Sequence, residues 1–241
     1  METEERPRPS VAVTGLGSLE RGSKPRIVAV VDSLIPLENL LRLKRSGIDL
    51  LEIRVDLIET NLACVVKYLV DLSKSVGLPL IGTVRENART SSDRLRIFRT
   101  IMPHVQAVDI ELGCAIADSV IAEAHRLGIT VIVSEHDFET TPSDAALGAI
   151  VERARAGGAD IVKIATMARS REDAERLLRF IKGCTVPVAA FAMGEQGAFS
   201  RVLAGEYGSL FTYGYISKAV APGQLPAAEL AEKIRNLTTG R

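Results

Sequence analysis

The chain has 241 residues, of which 46% are hydrophobic and 25% charged, an ordinary globular composition at a length typical of one α/β barrel. Its 30 basic and 30 acidic residues cancel, so no overall field favours nucleic acid or a membrane surface as partner. The 3 cysteines, Cys64, Cys114 and Cys184, are odd in number and lack zinc-ligand spacing. They are expected to be small core or half-buried residues kept reduced, not a disulfide framework.

Residues 1–10 are polar and carry no apolar signal-peptide core, so they are expected to form a flexible tail ahead of one domain spanning 11–241. Within Val11–Glu20, the glycines of Thr14-Gly15-Leu16-Gly17 predict a hairpin that could cover the bottom of a barrel. Apolar, β-branched runs then recur at Ile27–Val31, Leu50–Val55, Pro79–Val84 and Ala107–Leu112. Four more follow at Thr130–Ser134, Asp160–Ala165, Pro187–Phe191 and Leu210–Tyr213. Helical periodicity fills Leu37–Ser46, Leu62–Val76, Ala115–Leu127, Pro142–Ala156 and Arg171–Ile181, and returns at Pro226–Leu237. Gly47, Gly77, Gly128, Gly157-Gly158 and Gly183 punctuate the expected helix ends. Strands alternating with helices predict an α/β protein, a closed (β/α)8 TIM barrel with the hairpin beneath it. The alternative, an open doubly wound sheet, lacks the Gly-rich phosphate loop after its first strand. No apolar run approaches the roughly 20 residues of a membrane helix, and a cytoplasmic protein is expected.

In such a barrel, chemistry gathers at the C-terminal ends of the strands. Lys163 sits in the run Ala159-Asp160-Ile161-Val162-Lys163-Ile164-Ala165, with no acid at alternate positions to pair with it. Burial favours a neutral amine, the form that attacks a carbonyl to make a Schiff base. The bland reading is a lysine that snorkels from the strand end or pairs with a distant carboxylate. Glu52 and Arg54 alternate onto one strand face, and Ser134 and His136 onto another. Asp109 and Glu111 read as structural charges, and His104 and His125 as surface residues. Arg85 and Arg201, beside Arg54, would furnish an arginine pocket for a carboxylate if all three reached one barrel mouth. A lysine imine acidifies the adjacent C–H, and a histidine within reach could take that proton and return it to a leaving hydroxyl. Activity is expected to fall in acid as amine and imidazole protonate. No metal-ligand cluster is visible.

Several stretches together resemble the type I 3-dehydroquinate dehydratases of the shikimate pathway. They are Glu52-Ile53-Arg54-Val55-Asp56, Ser134-Glu135-His136-Asp137-Phe138 with Thr141-Pro142, and Asp160-Ile161-Val162-Lys163-Ile164-Ala165. Met193-Gly194, Ser200-Arg201 and Ala221-Pro222-Gly223-Gln224 follow in the family's order. The resemblance implies a barrel that dehydrates 3-dehydroquinate without metal or organic cofactor, as a homodimer. It makes Lys163 the Schiff-base residue and His136 the general acid/base. Glu52, Arg54, Arg85, Arg201 and Gln224 would bind substrate, with Arg201 on its carboxylate, and Phe138 and Met193 would wall the pocket. The chain departs from the family at Val220, where many members place serine, at Val30, where some do, and in Glu86-Asn87-Ala88-Arg89-Thr90, where some carry an acidic residue and paired glycines in a mobile loop. Two other readings remain open: a class I aldolase-like Schiff-base barrel, and a non-catalytic carboxylate-binding barrel. Gly194-Glu195-Gln196-Gly197 speaks against a sugar-phosphate aldolase, because it puts an acid where phosphate would sit.

Overall fold

The computed structural model describes residues 10–13, 16–20 and 24–239. It opens with strands β1 (Ser10–Val13) and β2 (Gly17–Glu20), paired antiparallel. The expected tail lies outside the described residues, except that Ser10 begins β1. Eight parallel strands follow: β3 (Arg26–Val31), β4 (Leu50–Arg54), β5 (Leu80–Thr83), β6 (Ala107–Glu111), β7 (Thr130–Asp137), β8 (Ile161–Met167), β9 (Val188–Met193) and β10 (Phe211–Tyr215). A helix follows each in turn: α1 (Leu37–Arg45), α2 (Leu62–Ser75), α3 (Arg94–Ile101), α4 (Ala117–Arg126), α5 (Asp144–Ala156), α6 (Arg171–Gly183), α7 (Ser200–Leu203) and α8 (Ala227–Thr239).

Strand order β10-β3-β4-β5-β6-β7-β8-β9 makes one sheet. Its two ends meet where the Leu210 N–H donates to Val188 O at 2.9 Å and the Ala190 N–H to Ser209 Oγ at 2.9 Å. That is a (β/α)8 barrel. Strand alternation sorts the side chains. Odd positions of β3, such as Ile27 and Val31, join the layer beneath the helices, while Val28 and Val30 join the barrel interior. Leu16, in the hairpin turn, is 1% exposed and packs with Val28, Leu50, Ile81 and Ile132 at the bottom of that interior. Full burial of a leucine contributes about 1.5–3 kcal/mol, so the hairpin is bound to the barrel it covers.

Local chemistry sets the helix starts. Asn61 accepts the Cys64 N–H at 2.9 Å ahead of α2, Ser143 caps α5, and Ser170 with Asp173 forms a capping box on α6. Helix α3 falls outside the segments of helical periodicity recognised in the sequence. It is short, and three arginines among its eight residues dilute the apolar repeat, although Phe98 and Ile101 are fully buried. Strands β7 to β10 run two or three residues past the runs expected from the sequence, because the hydrogen-bonded ladder continues, for β7 to β9 through the Asp137–Thr166 and Met167–Met193 pairs. Cys114 and Cys184 are half-buried, but Cys64, in the first turn of α2, is exposed, contrary to the expected burial.

Candidate active site

The C-terminal mouth of the barrel encloses a cavity of ≈ 340 Å³. Lys163, His136, Glu52, Arg54, Arg85 and Arg201 all line it, and so do Gln224, Phe138 and Met193. The nine residues that the resemblance assigned to the site therefore converge on one space, from β4 through the loop after β10.

Lys163 rises from the middle of β8 and is 3% exposed. It is not unpaired. Its Nζ donates to Asp109 Oδ2 at 2.8 Å and to Glu52 Oε1 at 3.2 Å, and lies 4.1 Å from the centroid of the Tyr213 ring. Of the sequence readings, pairing with a distant carboxylate is the one the geometry bears out: the partners stand on β6 and β4, 54 and 111 residues away. Asp109, read from the sequence as structural, is the hub of the site. It also accepts from Arg85 Nη2 at 2.7 Å and Ser134 Oγ at 2.6 Å. Burial alone would raise its pKa, but Arg85 and Lys163 outweigh that and hold it well below the carboxylate range. Glu52 accepts a further bond from Thr83 Oγ1 at 2.9 Å.

The arginines separate into two kinds. Arg54 is clamped through two bonds to Asp56, at 3.0 and 2.7 Å. Arg85 is shared between Asp109 and Glu111, the second at 3.1 Å. Arg201 has no carboxylate partner among the described residues. Its Nη2 reaches Pro222 O at 3.3 Å, its Nε makes no hydrogen bond, and its guanidinium stacks 4.5 Å from the Phe191 centroid. Burial pulls its pKa down to about 10, so it remains a cation at neutral pH. All three arginines thus reach one mouth, Arg54 and Arg85 matched by acids and Arg201, among the described residues, without one.

His136 follows Ser134 on the cavity face of β7, and Ser134 is in register with Lys163 of β8. Its ring is half-buried, and Phe138 stacks on it at 6.1 Å and 13°. Phe138 is 58% exposed, so it forms the rim of the cavity and not an inner wall. Burial first, then the charges of Arg85 and Lys163, lower the His136 pKa to about 3 against the pull of Asp109. At that value the imidazole is the free base across the neutral range, and its protonation belongs to more acid solution. Its NMR signals should stay in the free-base position down to about pH 4, and a transition near pH 6.5 would contradict this geometry. The unfolded imidazole binds its proton first, so stability falls as pH drops from 6.5 toward about 3.

Two glycines fix the last loop over the site. A side chain on Gly223 would have its Cβ 2.3 Å from Gly194 O, and both residues have positive φ, 69° and 82°. The Gly194 N–H donates to Pro222 O at 3.1 Å, which places Val220–Gln224 against the β9 end. Gln224 Oε1 accepts the Val220 N–H at 2.9 Å within that loop.

Residues 29–240 match the sequence profile of the type I 3-dehydroquinase family. The chain belongs to this family. Its relatives include the 3-dehydroquinate dehydratase of Methanocella arvoryzae, 34% identical over 88% of this chain and 97% of the relative. The structure superposes on 3-dehydroquinate dehydratase from Geobacillus kaustophilus with a TM-score of 0.83 at 26% identity, covering 96% of this chain and 97% of that one. Type I 3-dehydroquinate dehydratase from Clostridium difficile, with covalently modified comenic acid, gives 0.83 at 26% identity over 97% and 100%.

Two of this type I 3-dehydroquinase's departures, Val30 and Val220, both lie in the cavity wall. The third, Glu86–Thr90, is a compact turn. Asn87 Oδ1 accepts the Arg89 N–H at 2.8 Å, Thr90 Oγ1 donates to Arg85 O at 2.8 Å, and Arg89 Nη2 donates to Ile58 O at 2.8 Å. Sequence reasoning missed Tyr213 and Phe191 as cavity residues. Their signal was in-out parity alone: Tyr213 is in register with Val28 and Phe191 with Ala165, and all four face the barrel interior.

Proposed function

We propose that this protein dehydrates 3-dehydroquinate to 3-dehydroshikimate and water through an imine on Lys163. The observation that carries the reading is a buried lysine and a free-base histidine sharing a cavity with one carboxylate-free arginine. The substrate ketone accepts the Lys163 amine, and the proton lost by the ammonium has Asp109 and Glu52 beside it. Loss of water gives the imine, which acidifies the neighbouring methylene. His136 removes a proton there, then returns it to the departing hydroxyl. Hydrolysis of the imine frees product and restores the lysine, so one water leaves overall.

Arg201 takes the substrate carboxylate, as the cavity cation that no acid matches among the described residues. Glu52, Arg54, Arg85 and Gln224 hold the substrate's oxygens, Met193 supplies an apolar wall and Phe138 the rim. No metal or organic cofactor enters the scheme. We place the enzyme in the cytoplasm as a homodimer with one catalytic domain spanning 11–241. Among the described residues no helix is long and apolar enough to cross a membrane. Light scattering at micromolar concentration tests the dimer, which a monomer mass would refute.

The central experiment is borohydride reduction in the presence of 3-dehydroquinate, followed by intact mass and peptide mapping. A stoichiometric adduct on Lys163 is expected, and its absence from folded protein would refute the scheme. His136→Ala should still trap the adduct while turnover falls by about 10²–10⁴-fold, the usual span of general acid–base catalysis. A His136→Ala variant with unimpaired turnover would remove His136 from the mechanism.

A further inference from the structure

Arg94 opens α3 and is only 4% exposed, yet it does not line the cavity. A buried guanidinium is costly unless its donors are matched, and here they are used directionally. Its Nε donates to Val84 O at 2.6 Å, the residue immediately before Arg85, and its Nη2 is bonded to Glu111 Oε2. That same Glu111 oxygen faces Arg85 Nη1 at 3.1 Å. Arg85 in turn holds Asp109, and Asp109 holds Lys163. Charges therefore alternate from α3 into the cavity through Arg94, Glu111, Arg85, Asp109 and Lys163. Glu111 is 28% exposed at the cavity, so without Arg94 it would have solvent room to swing away from Arg85.

We propose that Arg94 is a positioning residue for substrate binding: through Glu111 it fixes the direction in which Arg85 presents its guanidinium to the cavity. The inference rests on the dehydratase reading above, in which Arg85 touches substrate and Arg94 does not. Arg94 also grips the backbone beside Arg85 through Val84 O, so one side chain sets both the root and the tip of Arg85. Its Nη1 lies 3.7 Å from Glu86, which is 66% exposed and contributes little in solvent.

The test is steady-state kinetics with 3-dehydroquinate on wild type, Arg94→Met, Arg94→Lys, Glu111→Gln and the Arg94→Met/Glu111→Gln pair. Arg94→Met should raise KM about tenfold, as loss of a supporting partner commonly does, with kcat changed by less than about twofold. The double variant should be no worse than the weaker-binding single one, because both changes break one chain of contacts. Arg94→Lys keeps charge but loses the planar fork, and should raise KM by about threefold. It guards against a methionine variant that does not fold. An unchanged KM in either folded Arg94 variant, or fully additive effects with Glu111→Gln, would overturn the proposal and leave Arg94 a structural residue of α3. A wild type that does not turn over dehydroquinate would instead sink the dehydratase reading.

Discussion

Lys163→Met should lower turnover of 3-dehydroquinate by on the order of 10⁴-fold or more and leave no borohydride-trappable adduct. Lys163 is also the counter-charge of two buried carboxylates. Removing it strands Glu52 and Asp109 in the barrel interior. Breaking a buried pair usually costs about 3–5 kcal/mol. Here the low end applies: Asp109 keeps Arg85 and Ser134, and Glu52 keeps Thr83. A loss of activity alone would then be ambiguous between chemistry and folding. Adding Glu52→Gln to Lys163→Met removes the uncompensated charge at modest change in shape. The double variant should regain much of the lost melting temperature and none of the lost turnover. Recovery of activity together with stability would mean that Lys163 serves the fold and not the reaction.

How far the site was legible in the sequence depends on the length scale of each interaction. The barrel was readable because period-two and period-3.6 patterns are local, and eight strand runs with helical spacers leave few topologies open. The residues converging on the cavity were readable because the C-terminal end of every barrel strand faces the same mouth. What could not be read was who pairs with whom. Lys163 looked unmatched because a strand displays its own neighbours only at alternate positions, whereas its acids arrive from β4 and β6. Arg54, Arg85 and Arg201 looked alike in the sequence. Asp56 lies two residues from Arg54, but the acids of Arg85 are 24 and 26 residues away in sequence, and only the fold shows that Arg201 has none among the described residues. Position along the chain predicted location; it did not predict electrostatics.

Arg201→Met should raise KM for dehydroquinate by about 100-fold, in the range found when one side of a buried charge-assisted contact is removed, while leaving folded stability equal or higher. The two signs differ from those at Lys163 because the surroundings differ. Arg201 is 0% exposed, and among the described residues its side chain donates one hydrogen bond, to the Pro222 carbonyl at 3.3 Å. The free enzyme therefore bears the desolvation cost of a guanidinium without an anion to offset it, and part of its donor set is unmatched at Nε. Stacking on Phe191 offsets about 0.5–2 kcal/mol of that at most. A methionine fills similar space, keeps the apolar contact with Phe191, and removes the charge. Such a group is retained at a cost to the resting protein only if binding restores the balance, and a substrate carboxylate does so. Thermal melts with and without a non-reactive carboxylate ligand separate the contributions. Wild type should be stabilised by the ligand much more than Arg201→Met, whose unliganded melting temperature should not fall. A variant that melts clearly lower yet binds the ligand as tightly as wild type would show that Arg201 is a structural arginine, and the carboxylate would then have to be held by Arg54 or Arg85.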